Sequence, residues 1–210
     1  GKNMIGTFYQ PKVVYTSPEF YKTLPRREFV SGMAEVVKYA AIEKDFNQWL
    51  MQNSRSIVAK KTEVLIEMIQ KCCQIKAEVV ASDEKETSGL RAILNFGHTF
   101  GHAIEKCQQY SGLRHGEAVG VGMNMALELS LELGLIGIAQ KQNMLNLLGI
   151  FDIPTKVPAG ISKQDFFDAM LLDKKNSNSK LKFVLMKDIG ELFVDTVDKD
   201  FVFKFLDRFF

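Results

Sequence analysis

Residues 90–123, LRAILNFGHTFGHAIEKCQQYSGLRHGEAVGVGM, contain all three histidines of the chain. His98, His102 and His115 fall within 18 consecutive residues. Gly97 and Gly101 stand four residues apart, a spacing that lets a second backbone approach one face of a helix. Because neutral imidazole is the commonest protein ligand for zinc and similar metals, this concentration of histidines predicts a metal site or an acid/base site.

The spacing of His98 and His102 leaves two interpretations open. Four residues apart on a helix, the two imidazoles share one face, where both can bind one metal or simply hydrogen-bond to the backbone. Thr99 follows His98, so the H-E-x-x-H signature of zinc proteases is absent. Peptide hydrolysis is therefore disfavoured.

Composition limits the class of protein. The chain has 210 residues, of which 46% are hydrophobic and 25% charged, enough for one domain with a real core. The net charge is only +2, and no basic block alternates with aromatic residues, so we expect no nucleic-acid partner. No apolar run approaches the roughly 18 residues of a membrane span, and no signal peptide begins the chain. We therefore expect a cytoplasmic protein without a membrane partner.

Three cysteines cannot form a complete disulfide framework, and two of them, Cys72 and Cys73, are adjacent. We interpret them as small hydrophobic core residues of a protein in a reducing compartment.

Apolar residues recur at helical spacing along most of the chain, which predicts a mainly α fold with a small β-hairpin. A short strand is predicted at 12–15, and the hairpin is predicted from LKFVLM (181–186) and ELFVDTV (191–197), joined at Asp188-Ile-Gly190. The predicted helices are 26–53, 54–82, 95–107, 117–133, 138–148, 163–172 and a final one within 201–210.

A dinucleotide-binding domain is not predicted. No G-x-G-x-x-G motif follows a strand, and Gly120-x-Gly122 lacks the third glycine. If nicotinamide chemistry occurs, another domain supplies it. The chain begins with GKNMIG rather than with methionine, and we expect it to be part of a longer polypeptide.

Three long strings, LPRREFVSGMAEVVKYA (24–40), LRAILNFGHTFGHAIE (90–105) and LRHGEAVGVGM (113–123), closely resemble the 3-dehydroquinate synthase family. The resemblance continues through GKNMIGTFYQP at 1–11 and DKKN at 173–176. It implies that residues 1–22 lead in from a missing NAD-binding α/β domain, and that 23–210 form a helical metal- and substrate-binding domain. It also implies conversion of 3-deoxy-arabino-heptulosonate 7-phosphate into 3-dehydroquinate, in the shikimate pathway, with NAD and a divalent metal, zinc or cobalt.

The resemblance implies roles for individual residues and separates His102 from the metal. The family's metal ligands match Glu35, His98 and His115, whereas His102 and Asn95 match contacts to the substrate phosphate. The other matches are Lys76 and Arg91 to groups that hold the substrate carboxylate, Lys38 to another substrate contact, Asn3 and one of Lys174 or Lys175 to the phosphate, and Thr23 and Glu28 to the NAD pocket. The predicted catalytic residues are Lys38, Lys76, Arg91, Asn95 and His102. Glu86 lies in a loop one residue longer than the family pattern, so its match to the family is left open.

This residue set suits the implied chemistry. Two imidazoles and one carboxylate form a three-ligand zinc site with positions left open for substrate oxygens. Lysine, arginine and asparagine donors suit a sugar-acid phosphate, and we expect a homodimer. Three alternatives remain: another sugar phosphate cyclase, whose substrate carries no carboxylate; a metal-dependent polyol dehydrogenase, which needs no phosphate contacts; and a noncatalytic metal-dependent interaction module.

Overall fold

The computed structural model describes residues 5–6, 9, 11–84, 89–172 and 179–210. These residues are mainly helical and contain one two-stranded antiparallel sheet, so the predicted fold class is confirmed. None of the described helices is both long and apolar enough to cross a membrane. The elements are α1 (Arg26–Ile42), α2 (Lys44–Val58), α3 (Thr62–Ser82), α4 (His98–Cys107), α5 (His115–Glu132), α6 (Ile138–Ile150), α7 (Lys163–Leu172), β1 (Lys180–Asp188), β2 (Glu191–Asp198), α8 (Lys199–Phe205) and 3-10 helices at Pro18–Lys22, Leu90–Asn95 and Leu206–Arg208.

Helix α5 is at the centre of the core. It is buried along most of its length and contacts α1, α4, α6 and β1. Two of its glycines explain this packing. A Cβ atom on Gly116 would lie 1.8 Å from the carbonyl oxygen of Ser31 in α1, and one on Gly122 would lie 2.0 Å from the carbonyl oxygen of Gly97. No side chain fits at either place, so α5 packs backbone to backbone against α1 and against the residues that begin α4.

The predicted close approach at Gly97 and Gly101 is confirmed. A Cβ atom on Gly101 would lie 3.2 Å from the Cα of Val119 in α5. Gly97 caps α4 with φ +80°, a left-handed conformation that glycine adopts without steric cost. These contacts hold the first turn of α4 beside α5.

The predicted hairpin is also confirmed. Asp188 pairs with Glu191, which makes Ile189 and Gly190 the two residues of the turn. Hydrogen bonds from backbone N–H groups hold the hairpin against the helices. The Met186 N–H donates to the hydroxyl of Ser130 in α5 at 3.1 Å. The Gly190 N–H donates to the carbonyl of Ala41, at the end of α1, at 3.0 Å.

The predicted helix boundaries are wrong between α1 and α3. The apolar period runs on from 26 to 53, but the chain turns at Glu43, whose carboxylate accepts the backbone N–H groups of Asp45 and Phe46 and begins α2. A second break falls at 59–61, where Lys60 takes φ 53°, so residues 54–58 end α2 instead of beginning α3. Capping and turn geometry therefore override a continuous hydrophobic pattern.

Smaller corrections concern other helix ends. The helix predicted from Asn95 begins at His98, because Asn95 ends a 3-10 helix. The helix predicted from Glu117 begins at His115. The final helix begins at Lys199 rather than at 201, because the carboxylate of Asp198 accepts the N–H groups of Asp200 and Phe201.

Two further expectations fail near the surface. Residues 12–15 form no strand, since β1 and β2 make up the sheet in the part of the chain that the structure describes. Cys73 is exposed rather than buried in the core, while Cys72 and Cys107 are half-buried, and all three are free thiols.

Candidate active site

Three helices each contribute one candidate metal ligand to the same point. Glu35 lies in the middle of α1, and His98 and His115 are the first residues of α4 and α5. One ligand atom from each residue lies within 4.8 Å of the other two. The Nε2 atoms of His98 and His115 are each 3.6 Å from Oε1 of Glu35. The glycine contacts that hold α4 and α5 against their neighbours therefore also bring these ligands together.

The two oxygens of Glu35 have different surroundings. Oε2 accepts a hydrogen bond from Nζ of Lys38 at 2.5 Å, and the Lys38 side chain is almost fully buried. Oε1 is buried and accepts no hydrogen bond from the residues that the structure describes. A buried acceptor without a partner is costly, so an oxygen in this position suits a bound cation. Together with two imidazole nitrogens, it makes a donor set that fits zinc or cobalt.

The hydrogen bonds of the two histidines direct their Nε2 atoms toward Glu35. Nδ1 of His98 lies 3.2 Å from the carbonyl oxygen of Phe96, so as a donor it leaves Nε2 with the lone pair. Nδ1 of His115 lies 3.1 Å from Oε1 of Glu105. In both rings, the nitrogen that faces away from Glu35 has an acceptor.

The electrostatics of the three groups differ. Burial, together with the nearby Lys38 cation, lowers the pKa of His98 to about 4, so this imidazole is neutral. The hydrogen bond to Glu105 and the nearby carboxylate of Glu35 raise the pKa of His115 to about 9. Burial raises the pKa of Glu35, but the nearby His115 ring and the charge and hydrogen bond of Lys38 outweigh it and lower the pKa to about 2. Because a metal ligand must be deprotonated, Nε2 of His115 would have to be free of a proton to bind a divalent cation here.

Two of the predicted catalytic residues lie beside the candidate metal ligands. Lys38 is bound to Glu35, as described above. The ring centroid of His102 is 5.5 Å from that of His98 and 6.2 Å from that of His115. The three histidines therefore form one cluster, with His102 on the same face of α4 as His98.

The predicted carboxylate and phosphate contacts lie on neighbouring elements. Arg91 and Asn95 are both on the 3-10 helix Leu90–Asn95, with Arg91 half-buried and Asn95 exposed. The backbone N–H of Arg91 donates to Asp83 at 3.1 Å. Lys76 is exposed on α3, which packs against this 3-10 helix. The structure thus brings together the elements that carry these three side chains.

The remaining predicted residues divide into two groups. Thr23 is exposed at the end of the first 3-10 helix, and Glu28, in the first turn of α1, forms an ion pair with Nε of Arg114 at 3.0 Å. The others lie outside the described residues: Asn3, Glu86, Lys174 and Lys175.

The sequence did not reveal the side chains that hold His115 in place. The guanidinium of Arg27 in α1 donates to both carboxylate oxygens of Glu117 in α5, at 2.8 and 2.7 Å. Glu117 also accepts the Arg114 N–H at 2.7 Å, which caps α5 beside His115. Glu105 is the other missed residue. Its position three residues after His102 on α4 was the available signal, because side chains three apart share a helix face.

Comparison with known proteins decides the family. Residues 32–176 match the family model described as 3-dehydroquinate synthase C-terminal, and residues 1–31 match the one described as 3-dehydroquinate synthase N-terminal. The chain belongs to the 3-dehydroquinate synthase family. The resemblance seen in the three sequence strings is therefore confirmed.

Curated relatives in the 3-dehydroquinate synthase family agree over nearly the whole chain. The 3-dehydroquinate synthase of Francisella tularensis subsp. holarctica is 60% identical over 207 residues, covering 99% of this chain and 58% of the relative. That of Colwellia psychrerythraea is 48% identical over 192 residues, covering 91% of this chain and 54% of the relative. The chain thus spans a little over half the length of these relatives.

Solved structures share the fold of this 3-dehydroquinate synthase family member. A 2-epi-5-epi-valiolone synthase from Streptomyces hygroscopicus subsp. jinggangensis 5008, with NAD+ and Zn2+ bound, superposes on 99% of the chain with a TM-score of 0.84 and 23% identity. A 2-deoxy-scyllo-inosose synthase, complexed with carbaglucose-6-phosphate, NAD+ and Co2+, gives a TM-score of 0.78 over the whole chain at 23% identity. In both cases the chain covers about 60% of the neighbour, 58% and 60% respectively.

Proposed function

We propose that this chain is the metal- and substrate-binding part of a 3-dehydroquinate synthase, a carbon–oxygen lyase of the shikimate pathway. The complete enzyme converts 3-deoxy-arabino-heptulosonate 7-phosphate into 3-dehydroquinate and phosphate. The convergence of Glu35, His98 and His115 from three separate helices carries the proposal. Family membership and 60% identity to relatives of this name support it.

The proposed cofactors are one divalent metal ion, zinc or cobalt, and NAD. Glu35, His98 and His115 are the residues that would hold the metal, with Oε1 of Glu35 as its oxygen ligand. The solved relatives with NAD+ and Zn2+ or Co2+ support this assignment. The metal would supply polarisation of a substrate hydroxyl, and NAD would supply the transient oxidation of that carbon to a ketone, which would acidify the adjacent C–H and so allow phosphate to be eliminated before the hydride returns.

The protein's own residues hold a flexible, highly charged substrate. We assign Lys76 and Arg91 to the substrate carboxylate, and Asn95 and His102 to its phosphate, because charge-assisted hydrogen bonds are about twice as strong as neutral ones. Asn3 and one of Lys174 or Lys175 complete the phosphate contacts by family resemblance. Holding both ends of the substrate fixes the reacting carbons near the metal ligands, which removes entropy from the chemical step.

Lys38 has two roles in this proposal. Its ammonium group donates to Oε2 of Glu35 at 2.5 Å, which holds the carboxylate with Oε1 toward the histidines. An ammonium carries three donors, so two remain for a substrate oxygen. Because the side chain is almost fully buried, its positive charge acts at short range and offsets the charge of Glu35.

We also propose that residues 1–22 lead in from an NAD-binding α/β domain and that Thr23 and Glu28 line the NAD pocket from this side. Residues 13–15 support this proposal, because Val13, Val14 and Tyr15 are 81%, 72% and 88% exposed. A run of exposed apolar residues is the kind of surface that another domain covers. The 210-residue chain alone is then expected to bind metal but not to catalyse the reaction.

Metal analysis of the chain tests the ligand assignment. We expect one equivalent of zinc in the parent chain and its loss in Glu35→Gln and His115→Ala. Glu63→Gln, which removes an exposed carboxylate from α3, is the control and should retain zinc. Unchanged zinc in both ligand variants would refute the assignment.

Substrate tests separate the proposed reaction from its alternatives. The full-length enzyme should release phosphate from the seven-carbon sugar-acid phosphate and not from a heptulose phosphate without a carboxylate. Turnover of only the second compound identifies another cyclase. Oxidation of an unphosphorylated polyol identifies a dehydrogenase, and stoichiometric zinc without sugar-phosphate binding identifies an interaction module.

A further inference from the structure

Glu105 is a buried carboxylate that contacts the candidate metal site without facing Glu35. It lies on α4, with 7% of its surface exposed. Its Oε1 is 3.1 Å from Nδ1 of His115, while the other ring nitrogen, Nε2, is 3.6 Å from Oε1 of Glu35. The His115 ring therefore lies between two carboxylates, one on each nitrogen.

The two candidate ligand histidines are held in the same way by different acceptors. Nδ1 of His98 faces the backbone carbonyl of Phe96, and Nδ1 of His115 faces the carboxylate of Glu105. In each ring, an N–H at Nδ1 leaves the lone pair on Nε2. A carboxylate acceptor also makes the imidazole a more basic ligand than a carbonyl does.

Geometry permits a second interpretation, in which Glu105 itself binds a cation. His102, Glu105 and His115 also bring ligand atoms within 4.8 Å of one another. A neutral imidazole, however, has one lone pair, so His115 cannot serve this set through Nδ1 and the Glu35 set through Nε2 together. Two observations favour the Glu35 set. Among the described residues, Oε1 of Glu35 has no hydrogen-bond partner, and the hydrogen bond from Nδ1 of His98 to Phe96 leaves Nε2 of His98 facing that oxygen.

We propose that Glu105 is a positioning residue, which accepts a hydrogen bond from the Nδ1–H of His115 and so presents Nε2 of that ring to the metal. The inference rests on the metal site of the proposed function. In this role Glu105 touches neither the metal nor the substrate and acts through His115. Removing such a partner typically lowers metal affinity by about 10- to 100-fold.

Zinc competition titrations of the chain test the proposal with Glu105→Gln, Glu105→Asp and the control Glu63→Gln. We expect Glu105→Gln to keep one zinc per chain with affinity lowered about 10- to 100-fold. Glu105→Asp should recover part of the loss, and Glu63→Gln should match the parent. The visible spectrum of the cobalt-loaded chain should shift in Glu105→Gln and not in Glu63→Gln, since only the first changes a ligand's basicity.

The outcomes separate this inference from the proposed function. A parent chain that binds no zinc refutes the metal site itself. A parent that binds zinc, with equal affinity in Glu105→Gln, overturns the role of Glu105. Binding of two zinc ions to the parent and one to Glu105→Gln would show that Glu105 is itself a metal ligand, which also overturns the positioning role.

A measurement on the parent chain decides the question even if the Glu105 variants do not fold. Nitrogen NMR of the zinc-loaded parent reports which ring nitrogen of His115 carries the proton. The proposal requires a proton on Nδ1 and metal on Nε2. The opposite arrangement overturns it.

Discussion

Replacing Gly122 by alanine should push α4 away from α5 and, by the same displacement, weaken the metal site. A Cβ atom at this position would lie 2.0 Å from the carbonyl oxygen of Gly97 and 2.8 Å from the N–H nitrogen of Gly101. Real Cβ atoms essentially never come closer than 3.0 Å to such atoms, so α4 or α5 must move by at least about 1 Å. Both obstacles are backbone atoms and cannot rotate away.

The change in the free energy of unfolding combines a loss from overpacking with a gain from the helix propensity of alanine. Overpacking of this kind costs typically 1–3 kcal/mol, and we take about 3 because the obstacles are backbone. Alanine in a helix interior regains up to about 1 kcal/mol over glycine. We therefore expect a net loss of about 2 kcal/mol in the free energy of unfolding, measured by urea denaturation of the metal-free chain. Zinc affinity should also fall, because His98 follows Gly97 directly and sites tolerate only about 0.5 Å of displacement.

Gly149→Ala is the matched control for this prediction. Gly149 is an exposed glycine of α6, and a Cβ atom there would meet nothing within 4 Å. This variant should be as stable as the parent or more stable by up to about 1 kcal/mol, with unchanged zinc affinity. A Gly122→Ala chain with the stability and zinc affinity of Gly149→Ala would refute the backbone-to-backbone packing argument.

The hydrogen bond from Arg27 lowers the pKa of Glu117 against the opposing effect of burial. The ionised Glu117 therefore stabilises the folded chain above the unfolded carboxyl pKa of about 4.3, and this stabilisation is lost as the pH falls through the pKa of Glu117 in the folded chain. Glu117→Gln should therefore lower the free energy of unfolding by about 1.5 kcal/mol at pH 7, and the difference from the parent should shrink below about pH 4.3; a difference independent of pH would contradict this reasoning. In the full-length enzyme, Arg91→Ala should lower kcat/KM for the carboxylated substrate about a hundredfold, near 3 kcal/mol, and leave zinc content unchanged, whereas near-normal turnover would remove Arg91 from the site. Calorimetric titration of the 210-residue chain with NAD should show no tight binding, while dehydroquinate formation by this chain alone would overturn the two-domain proposal.

The sequence predicts the packing of this fold better than its helix ends. The spacing of Gly97 and Gly101 predicts a close backbone approach, and their approach to α5 bears it out. The break at Glu43 was not predictable from the same kind of pattern. The apolar period continues across it, and the chain turns because one carboxylate caps the next helix.

The sequence likewise predicts some residues of the candidate site and misses others. Motif resemblance grouped Glu35, His98 and His115, which helical spacing alone would not have done, because it relates only residues on one helix. The carboxylate partner of His115 was missed for the same reason. Glu105 shares a face with His102 on α4, but which imidazole it contacts depends on how α5 is placed, and that is a property of the tertiary structure.

X-ray absorption spectroscopy of the zinc-loaded chain identifies the atoms that bind the metal. We predict one zinc per chain, bound by nitrogen and oxygen atoms at about 2.0–2.2 Å with the scattering pattern of two imidazoles, and the loss of this signal in Glu35→Gln. A sulfur shell at about 2.3 Å, which would place the metal on the cysteines, or a chain that retains no zinc, would contradict it.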